Sequence, residues 1–339
     1  MQTFLVDKFI NFDLLNILYK GGKMVRKIAI SLNGRKIKNL FVSILRALFI
    51  IGVSYVILFP LLIKISNSFK PVRELYDQTV KWIPRNLTFE HYLKVWQHMN
   101  YPKTFLNTFL LTLTVSLFQL ASCTSAAYGL ARFDFKAKNL IFALVIFTLV
   151  VPPQMILIPM YLNFRFLNPL GLFPAPGINL VGTLWPFILT SLTAIGLKNG
   201  LFIYIMRQFF KGMPKELEEA AYIDGAGLFK TFYHVMLPSA VPGLVIVFLF
   251  AFVWQWNDYE FITLFMGGGE FLPQALDGVA YKVILEKTGG GAASELLGGQ
   301  YSSLINNTGM IMVILPLLLL YAFMQKYFIE SVERSGLVG

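Results

Sequence analysis

The amino-acid sequence predicts an all-α membrane protein with six transmembrane helices, and three observations lead to this fold class. Of the 339 residues, 56% are hydrophobic and only 14% are charged, whereas soluble globular chains carry about 25% charged residues. The apolar residues are gathered into runs of the length that a bilayer-spanning helix needs, about 20 residues. The Lys and Arg residues, which bring the net charge to +11, cluster at the ends of these runs, as is typical of membrane proteins.

Six apolar runs have the length of a spanning segment. They are predicted to be helical because isolated strands would leave backbone N–H and C=O groups unpaired in lipid. Prolines inside some runs, such as Pro152 and Pro316, predict kinks. The runs cover residues 40–65, 104–130, 139–161, 183–206, 240–266 and 304–328.

The segment before the first run differs in character from the rest of the chain. Residues 1–39 are amphipathic at first and then basic, and we interpret them as a cytoplasmic, interfacial N-terminal segment ahead of a six-span domain at 40–339. A partly disordered extension, or translation that starts at Met24, explains this segment equally well. If the N-terminus is cytoplasmic, 17 Lys and Arg residues fall inside and nine outside, so the positive-inside rule predicts both termini in the cytoplasm.

The stretch 213–238, between the fourth and fifth runs, is predicted to form two short helices joined at a sharp corner. Three glutamates lie near the start of the first helix, where the helix dipole favours negative charge. Gly225 can end this helix in a left-handed conformation, and Asp224 is a suitable cap for the next helix. A rigid helical hairpin of this kind can dock in a groove of a partner protein and transmit its movement. On these features alone, a hairpin that merely connects two spans is as good an interpretation.

The residues of this hairpin resemble the EAA motif found in permeases of binding-protein-dependent ABC importers. The motif comprises Glu219-Ala220-Ala221, Asp224-Gly225 and, after nine further residues, Val235-x-Leu237-Pro238. The wider run 207–258 and the tail 327–339 resemble carbohydrate permeases of the maltose-transporter type. The resemblance covers roughly residues 40–339 and implies a type I ABC importer permease fold. The residues that it implies in coupling to an ATPase are Glu218, Glu219, Ala220, Ala221, Asp224, Gly225, Ala226, Phe229, Leu237 and Pro238.

The same resemblance implies the assembly in which the chain works. It implies a second permease subunit, two cytoplasmic ATPase subunits and an extracytoplasmic solute-binding protein, in the inner or cytoplasmic membrane of a bacterial cell. The chain has no G-x-x-x-x-G-K-[ST] phosphate loop, so we expect no cofactor and no enzymatic activity in it, with ATP and Mg bound by the partner subunits. Three histidines and one cysteine at unrelated spacings predict no metal site. The basic residues flank membrane spans, which argues for lipid and against nucleic acid as a partner.

Polar residues in or near the spans are candidates for the solute pathway, because such residues are costly in lipid. Trp254, Gln255, Asn257 and Tyr259 combine aromatic rings with hydrogen-bonding groups, which suits a sugar, although aromatic residues at the end of a span also form interfacial belts. Lys198, between two glycines, marks a helix break of the kind that lines substrate sites. Alternatively, its helix starts later and its side chain reaches the outer interface. Residues 268–303 contain three glycine clusters and are predicted to be a flexible external loop, one that reaches a binding protein or only connects two spans.

Together these features predict a six-span permease that imports a sugar or sugar-derived solute by alternating access. The alternative is a secondary carrier driven by an ion gradient. That alternative needs polar ion ligands within several spans, and such residues are scarce here.

Overall fold

The computed structural model of this chain describes residues 37–75, 77, 79–80, 82–196, 198–289 and 298–336. The predicted N-terminal segment therefore lies almost wholly outside the described residues. Within them the secondary structure is helical, apart from turns and one isolated antiparallel bridge between Leu167 and Ile178. The chain divides into two compact units, with the boundary between Ile63 and Lys64.

The helices follow one another with short connections. In chain order they are α1 (Ile37–Ser68), α2 (Val72–Leu75), α3 (Glu90–His98), α4 (Tyr101–Arg132), α5 (Lys138–Phe147), α6 (Pro153–Arg165), α7 (Trp185–Leu192), α8 (Asn199–Gly212), α9 (Glu216–Ile223), α10 (Leu228–Thr231), α11 (Leu237–Ser239), α12 (Val241–Trp256), α13 (Glu260–Met266), α14 (Leu272–Asp277), α15 (Val279–Thr288) and α16 (Gly298–Gly336). A wider π-helical turn, Phe232–Met236, joins α10 to α11.

Three of the described helices are long and apolar enough to cross a membrane. They are Ile37–Ser68, Tyr101–Arg132 and the Gly299–Lys326 part of α16. A fourth span is present if Leu228–Ser239 and Val241–Trp256, which are bent by 77° at Ala240, count as one. The helical class of the prediction is confirmed, and the count of six spans stays a prediction.

The third, fourth and fifth apolar runs each divide into two helices, which interrupts them more than the kinks predicted from prolines. The third run divides into α5 and α6 at Pro152, whose ψ of 130° is extended. The fourth divides into α7 and α8, with Ala194 and Lys198 in left-handed conformations between them. The fifth divides at Asn257 into α12 and α13. A hydropathy run does not register such breaks, because a few polar residues at a break hardly lower the mean hydropathy of a long apolar run.

Helix α4 lies at the centre of the second unit and packs against α7, α8 and α12. Its buried side chains include Cys123, Ala127 and Tyr128, which contribute to one hydrophobic core cluster together with Met206 of α8 and Val247 of α12. Cys123 serves in this packing as a small apolar residue. The close fit of α4 between these helices makes it the element to which the others are fixed.

The predicted flexible loop at 268–303 is largely helical and packed, so this prediction is wrong for residues 272–288. Helices α14 and α15 bury Leu272, Val279 and Val283 against Tyr301 and Trp256. These apolar residues recur at the three- and four-residue spacing of an amphipathic helix. The glycine clusters on either side of this segment favour a loop, whereas the spacing of its apolar residues favours a helix. Residues 290–297, at the second glycine cluster, lie outside the described residues.

Candidate functional site

A polar cavity of about 470 Å³ opens where three helix breaks meet. All five side chains predicted for the solute pathway line it, namely Lys198, Trp254, Gln255, Asn257 and Tyr259. The cavity wall also contains residues that were not among the predicted pathway residues: Gln119, Pro153, Gln154, Phe202, Ala251, Asp258, Glu260 and Phe261. The two glutamines could have been predicted from the sequence, because each is a polar residue within an apolar run.

The helix breaks bring these residues together. Lys198 precedes the first residue of α8 in a left-handed conformation with φ of 68°. Residues 257–259 lie between the end of α12 and the start of α13, and Pro153 and Gln154 start α6. At a break, the polar backbone groups no longer bond within a helix, and in membrane proteins such backbone is tolerated where it lines a cavity.

Lys198 sits over the indole of Trp254, with its Nζ atom 4.2 Å from the ring centroid. A cation at this distance from an aromatic face is stabilised by the ring quadrupole. Trp254 in turn stacks on Phe202 and Phe250, at centroid distances of 5.6 and 5.7 Å. Lys198 therefore points at the cavity wall, as the helix-break interpretation expected.

The remaining polar groups of the cavity are held by one another and by the backbone. Asn257 donates to the Val253 carbonyl at 2.8 Å, and Tyr259 donates to the Asp277 carboxylate at 3.0 Å. Gln119 Nε2 donates to Asn199 Oδ1 at 2.9 Å. These bonds fix the orientations of the side chains, which leaves the cavity as a preformed polar surface.

The predicted hairpin at 213–238 is present. Helix α9 ends at Ile223, and Gly225 turns the chain with a left-handed φ of 79°. The predicted capping role of Asp224 is wrong: Asp224 follows the last residue of α9, and the residue before α10 is Gly227, without a side-chain capping bond. Three residues separate Asp224 from α10, so its carboxylate lies at the wrong place for a cap.

The predicted coupling residues fall on two faces of the hairpin. Glu218 and Ala221 are buried against the rest of the unit, whereas Ala226 and Leu237 are half-buried. The other predicted residues are exposed: Glu219, Ala220, Asp224, Gly225, Phe229 and Pro238. Ile223 and Phe229 leave 85% and 82% of their surface exposed, and the sequence analysis missed Ile223. The tip of the hairpin therefore exposes two large apolar side chains almost completely.

The comparison with protein families identifies the chain. Residues 120–334, which include the hairpin and all of the cavity lining except Gln119, match the family described as the binding-protein-dependent transport system inner membrane component. This chain belongs to that permease family. The match covers more than half of the permease, and the assignment agrees with the resemblance found in the EAA-type hairpin.

Relatives and a solved structure support the assignment over most of the permease. The diacetylchitobiose uptake system permease protein of Streptomyces coelicolor is 28% identical over 87% of this chain and 88% of its own. The arabinooligosaccharides transport system permease protein of Bacillus subtilis is 26% identical over 86% of this chain and 94% of its own. In the crystal structure of a bacterial ABC transporter that imports the acidic polysaccharide alginate, one chain superposes with a TM-score of 0.65, at 22% identity, over 84% of this chain and 96% of that chain. This last similarity confirms the ABC transporter permease fold.

Proposed function

We propose that this permease imports a sugar or a sugar-derived solute by alternating access and that the polar cavity is part of the solute pathway. The permease would be one transmembrane subunit of an importer in a bacterial cell membrane, driven by ATP hydrolysis in separate ATPase subunits. The observation that carries the proposal is the cavity, in which the aromatic residues Phe202, Trp254, Tyr259 and Phe261 lie beside amide and charged side chains.

This lining has the chemistry that sugar recognition needs. A sugar ring has apolar C–H faces, which pack on aromatic rings, and a rim of hydroxyls, which both donate and accept hydrogen bonds. The amides of Gln119, Gln154, Gln255 and Asn257 offer donors and acceptors at once, and the volume is in the range of small-molecule sites. The two relatives above, whose names specify diacetylchitobiose and arabinooligosaccharides, support a carbohydrate as the solute.

Replacement of Trp254 tests this proposal. Trp254→Ala should lower the initial rate of sugar uptake by about tenfold, which corresponds to ~1.4 kcal/mol of binding free energy, while the assembled complex is recovered in the same amount. Diacetylchitobiose and an arabinose trisaccharide, both radiolabelled, are suitable probes for whole-cell uptake. Trp185→Ala is the matched control, because Trp185 is 52% exposed and lies outside the cavity. Equal uptake by the two variants and the wild type would remove the cavity from the pathway.

The exposed face of the hairpin is the second part of the proposal. We infer that an ATPase subunit covers Ile223 and Phe229, because a short amphipathic helix that projects apolar side chains fits a groove in a partner. The exposed residues Glu219, Ala220, Asp224, Gly225 and Pro238 would surround this contact, and the small residues Ala220 and Gly225 would allow a close approach. Glu218, Ala221, Ala226 and Leu237 would support the hairpin from its inner side.

Co-purification of the ATPase tests the docking surface. Phe229→Asp should abolish recovery of the ATPase with the tagged permease, because it places a charge in an apolar contact. Tyr281→Asp is the control, since Tyr281 is a 70% exposed aromatic residue on α15, on the predicted external side. Retention of the ATPase by both variants would reduce the hairpin to a connector.

The same family assignment supports the remaining partners. A second permease subunit, a second ATPase subunit and an extracytoplasmic solute-binding protein would complete the importer, and both termini of this chain would be cytoplasmic. ATP and Mg would be bound by the ATPases. In this proposed arrangement α9–α11 would lie in the cytoplasm and α14–α15 outside the cell.

A further inference from the structure

The end of α4 meets the inner side of the hairpin through three polar side chains. The Tyr128 hydroxyl donates to Glu218 Oε1 at 2.7 Å, and the Arg132 guanidinium lies 3.4 Å from Glu218 Oε2, measured from its Nε atom. The side chains of Arg132 and Glu218 are only 8% and 11% exposed. We call these residues the Tyr128–Arg132–Glu218 cluster. It holds both oxygens of a buried carboxylate, so α9 is fixed to α4 in one orientation.

Further bonds at the same place fix the entry to the hairpin. Arg132 Nη2 donates to the Met213 carbonyl at 2.8 Å, just after the last residue of α8. Arg207 of α8 donates from Nε to the Leu130 carbonyl at 3.1 Å, with its guanidinium 3.7 Å from the Phe142 ring centroid. The last turns of α4 are therefore bonded to the hairpin at its first residue and in the first turn of its first helix.

The covalent connections of the hairpin transmit its movement less directly than this cluster does. Between α8 and α9 the chain passes through Met213, Pro214 and Lys215, none of which belongs to a helix. Between α11 and α12 the axis bends by 77° at Ala240. A non-helical connection and a bend both absorb movement, whereas a buried ion pair with a second hydrogen bond resists separation, because breaking it leaves an unpaired charge in a poorly hydrated site.

Helix α4 leads from this cluster to the cavity without a break. Gln119, which lines the cavity, is on the same helix as Arg132, and 13 residues of α-helix span about 20 Å. Gln119 also donates to Asn199 at the start of α8, next to Lys198. A displacement of α9 that pulls on Arg132 would therefore shift two walls of the cavity together.

We propose that the Tyr128–Arg132–Glu218 cluster is the joint through which movement of the hairpin reaches α4 and the cavity. Glu218 and Arg132 are then positioning residues that act between the ATPase contact and the solute pathway, and they touch neither. The proposal assigns different roles to adjacent residues of the motif, because Glu219 is exposed on the docking face and Glu218 is buried behind it. It rests on the proposed function, in which the hairpin docks on an ATPase.

The test compares Glu218→Ala with Glu216→Ala, which removes an exposed glutamate from the same helix. The importer, co-expressed with its ATPase, is reconstituted in proteoliposomes, and two quantities are measured: the ATPase recovered with the permease, and the solute imported per ATP hydrolysed. We expect Glu218→Ala to retain the ATPase at the wild-type level and to import at least fivefold less solute per ATP. Glu216→Ala should match the wild type in both quantities.

Tyr128→Phe provides a second variant in case Glu218→Ala fails to assemble. It removes the hydroxyl and keeps the ring that packs against Phe210 and Phe232. It should lower the solute imported per ATP, and combining it with Glu218→Gln should cost less than the sum of the two single effects, since both changes break the same joint.

The outcomes separate this inference from the function on which it rests. The inference would be overturned if Glu218→Ala or Tyr128→Phe imported as much solute per ATP as the wild type. It would also be overturned if, in both variants, the amount of recovered ATPase fell in proportion to the fall in transport. A wild-type complex that imports no sugar at all would instead overturn the proposed function.

Discussion

The corner of the hairpin offers a sharp test of the backbone geometry, because two glycines there differ in one respect. Gly225 has a φ of 79°, whereas Gly227 has a φ of −74° and a ψ of 170°, an ordinary extended conformation. A Cβ atom added at either position meets no atom within 4 Å. A substitution at Gly225 is therefore penalised by its backbone conformation alone, and the same substitution at Gly227 is not.

The size of the effect follows from the left-handed conformation. An L-residue in this region costs roughly 1–2 kcal/mol relative to its preferred conformations, and a β-branched residue is at the upper end. A penalty of this size shifts the equilibrium between the native corner and any alternative by about 5–30-fold. We expect Gly225→Val to have the largest effect, Gly225→Ala a smaller one, and Gly225→Asn the smallest, because asparagine tolerates the left-handed region.

Uptake of labelled sugar and recovery of the ATPase are the assays, made at equal expression of each variant. Transport should fall in the order Asn, Ala, Val at position 225, and Gly227→Val should stay near the wild type. The six apolar runs are unchanged in all of these variants, so membrane insertion should not differ. Equal losses from Gly225→Val and Gly227→Val would show that side-chain bulk on the docking face matters, and the argument from φ would be refuted.

Three further predictions concern the sides of the membrane and the region between α1 and α4. Single cysteines at Tyr281 and Lys215, in a chain without its native cysteine, should react with an impermeant thiol reagent on intact cells at Tyr281 alone. Glu74→Ala should lower the free energy of unfolding by about 2–3 kcal/mol, because the Glu74 carboxylate accepts hydrogen bonds from the Arg85 and Asn86 backbone N–H groups, both at 2.9 Å. Burial lowers the pKa of His91 from its ordinary value of 6.5, so thermal stability should fall as the pH drops below about 6.5, and less so in His91→Gln.

Each of these measurements has a control and a result that contradicts it. Labelling at position 215 but not at 281 would reverse the proposed orientation of the permease. The control for Glu74→Ala is Glu90→Ala, which should change the free energy of unfolding by no more than about 0.5 kcal/mol, since the ion pair of Glu90 with Lys94 is partly exposed. Equal effects of the two substitutions would contradict the hydrogen-bond argument. The sign for His91 follows from the proton balance: the unfolded chain binds the proton more readily, so acid favours unfolding. An unchanged pH profile in His91→Gln would assign the acid sensitivity to other groups.

Several features of the permease could be predicted from local sequence because they depend on local chemistry. A 32-residue helix such as Tyr101–Arg132 follows from the cost of unpaired backbone groups in lipid, whatever its neighbours are. The corner at Gly225 follows from the freedom of glycine at positive φ. The resemblance to the importer permeases rested on this hairpin, and the family match confirms it.

Other features could not be predicted because they depend on which helices pack together. The apolar run 183–206 has the length of one spanning helix, yet the chain breaks between Leu192 and Asn199, and the resulting polar backbone is acceptable only where it lines a cavity. The sequence offered Lys198 both a helix break and an interfacial position, and only the structure shows its contact with Trp254. Residues 272–288 were predicted to be a flexible loop because their helical spacing has meaning only when a partner surface is known.

By itself, then, the sequence determined that the chain is a helical membrane protein, where its long apolar helices lie and that it has an importer-type hairpin, since hydropathy and turn chemistry act over a few residues. Only the tertiary structure brought Gln119, Gln154 and Lys198 to one cavity with Trp254 and buried Glu218 between Tyr128 and Arg132 while leaving Glu219 exposed. The two glutamates are adjacent and chemically identical. What distinguishes them is the direction in which a 100° turn of the helix points each side chain, toward α4 or away from it, and that direction is set by packing between residues far apart in the chain.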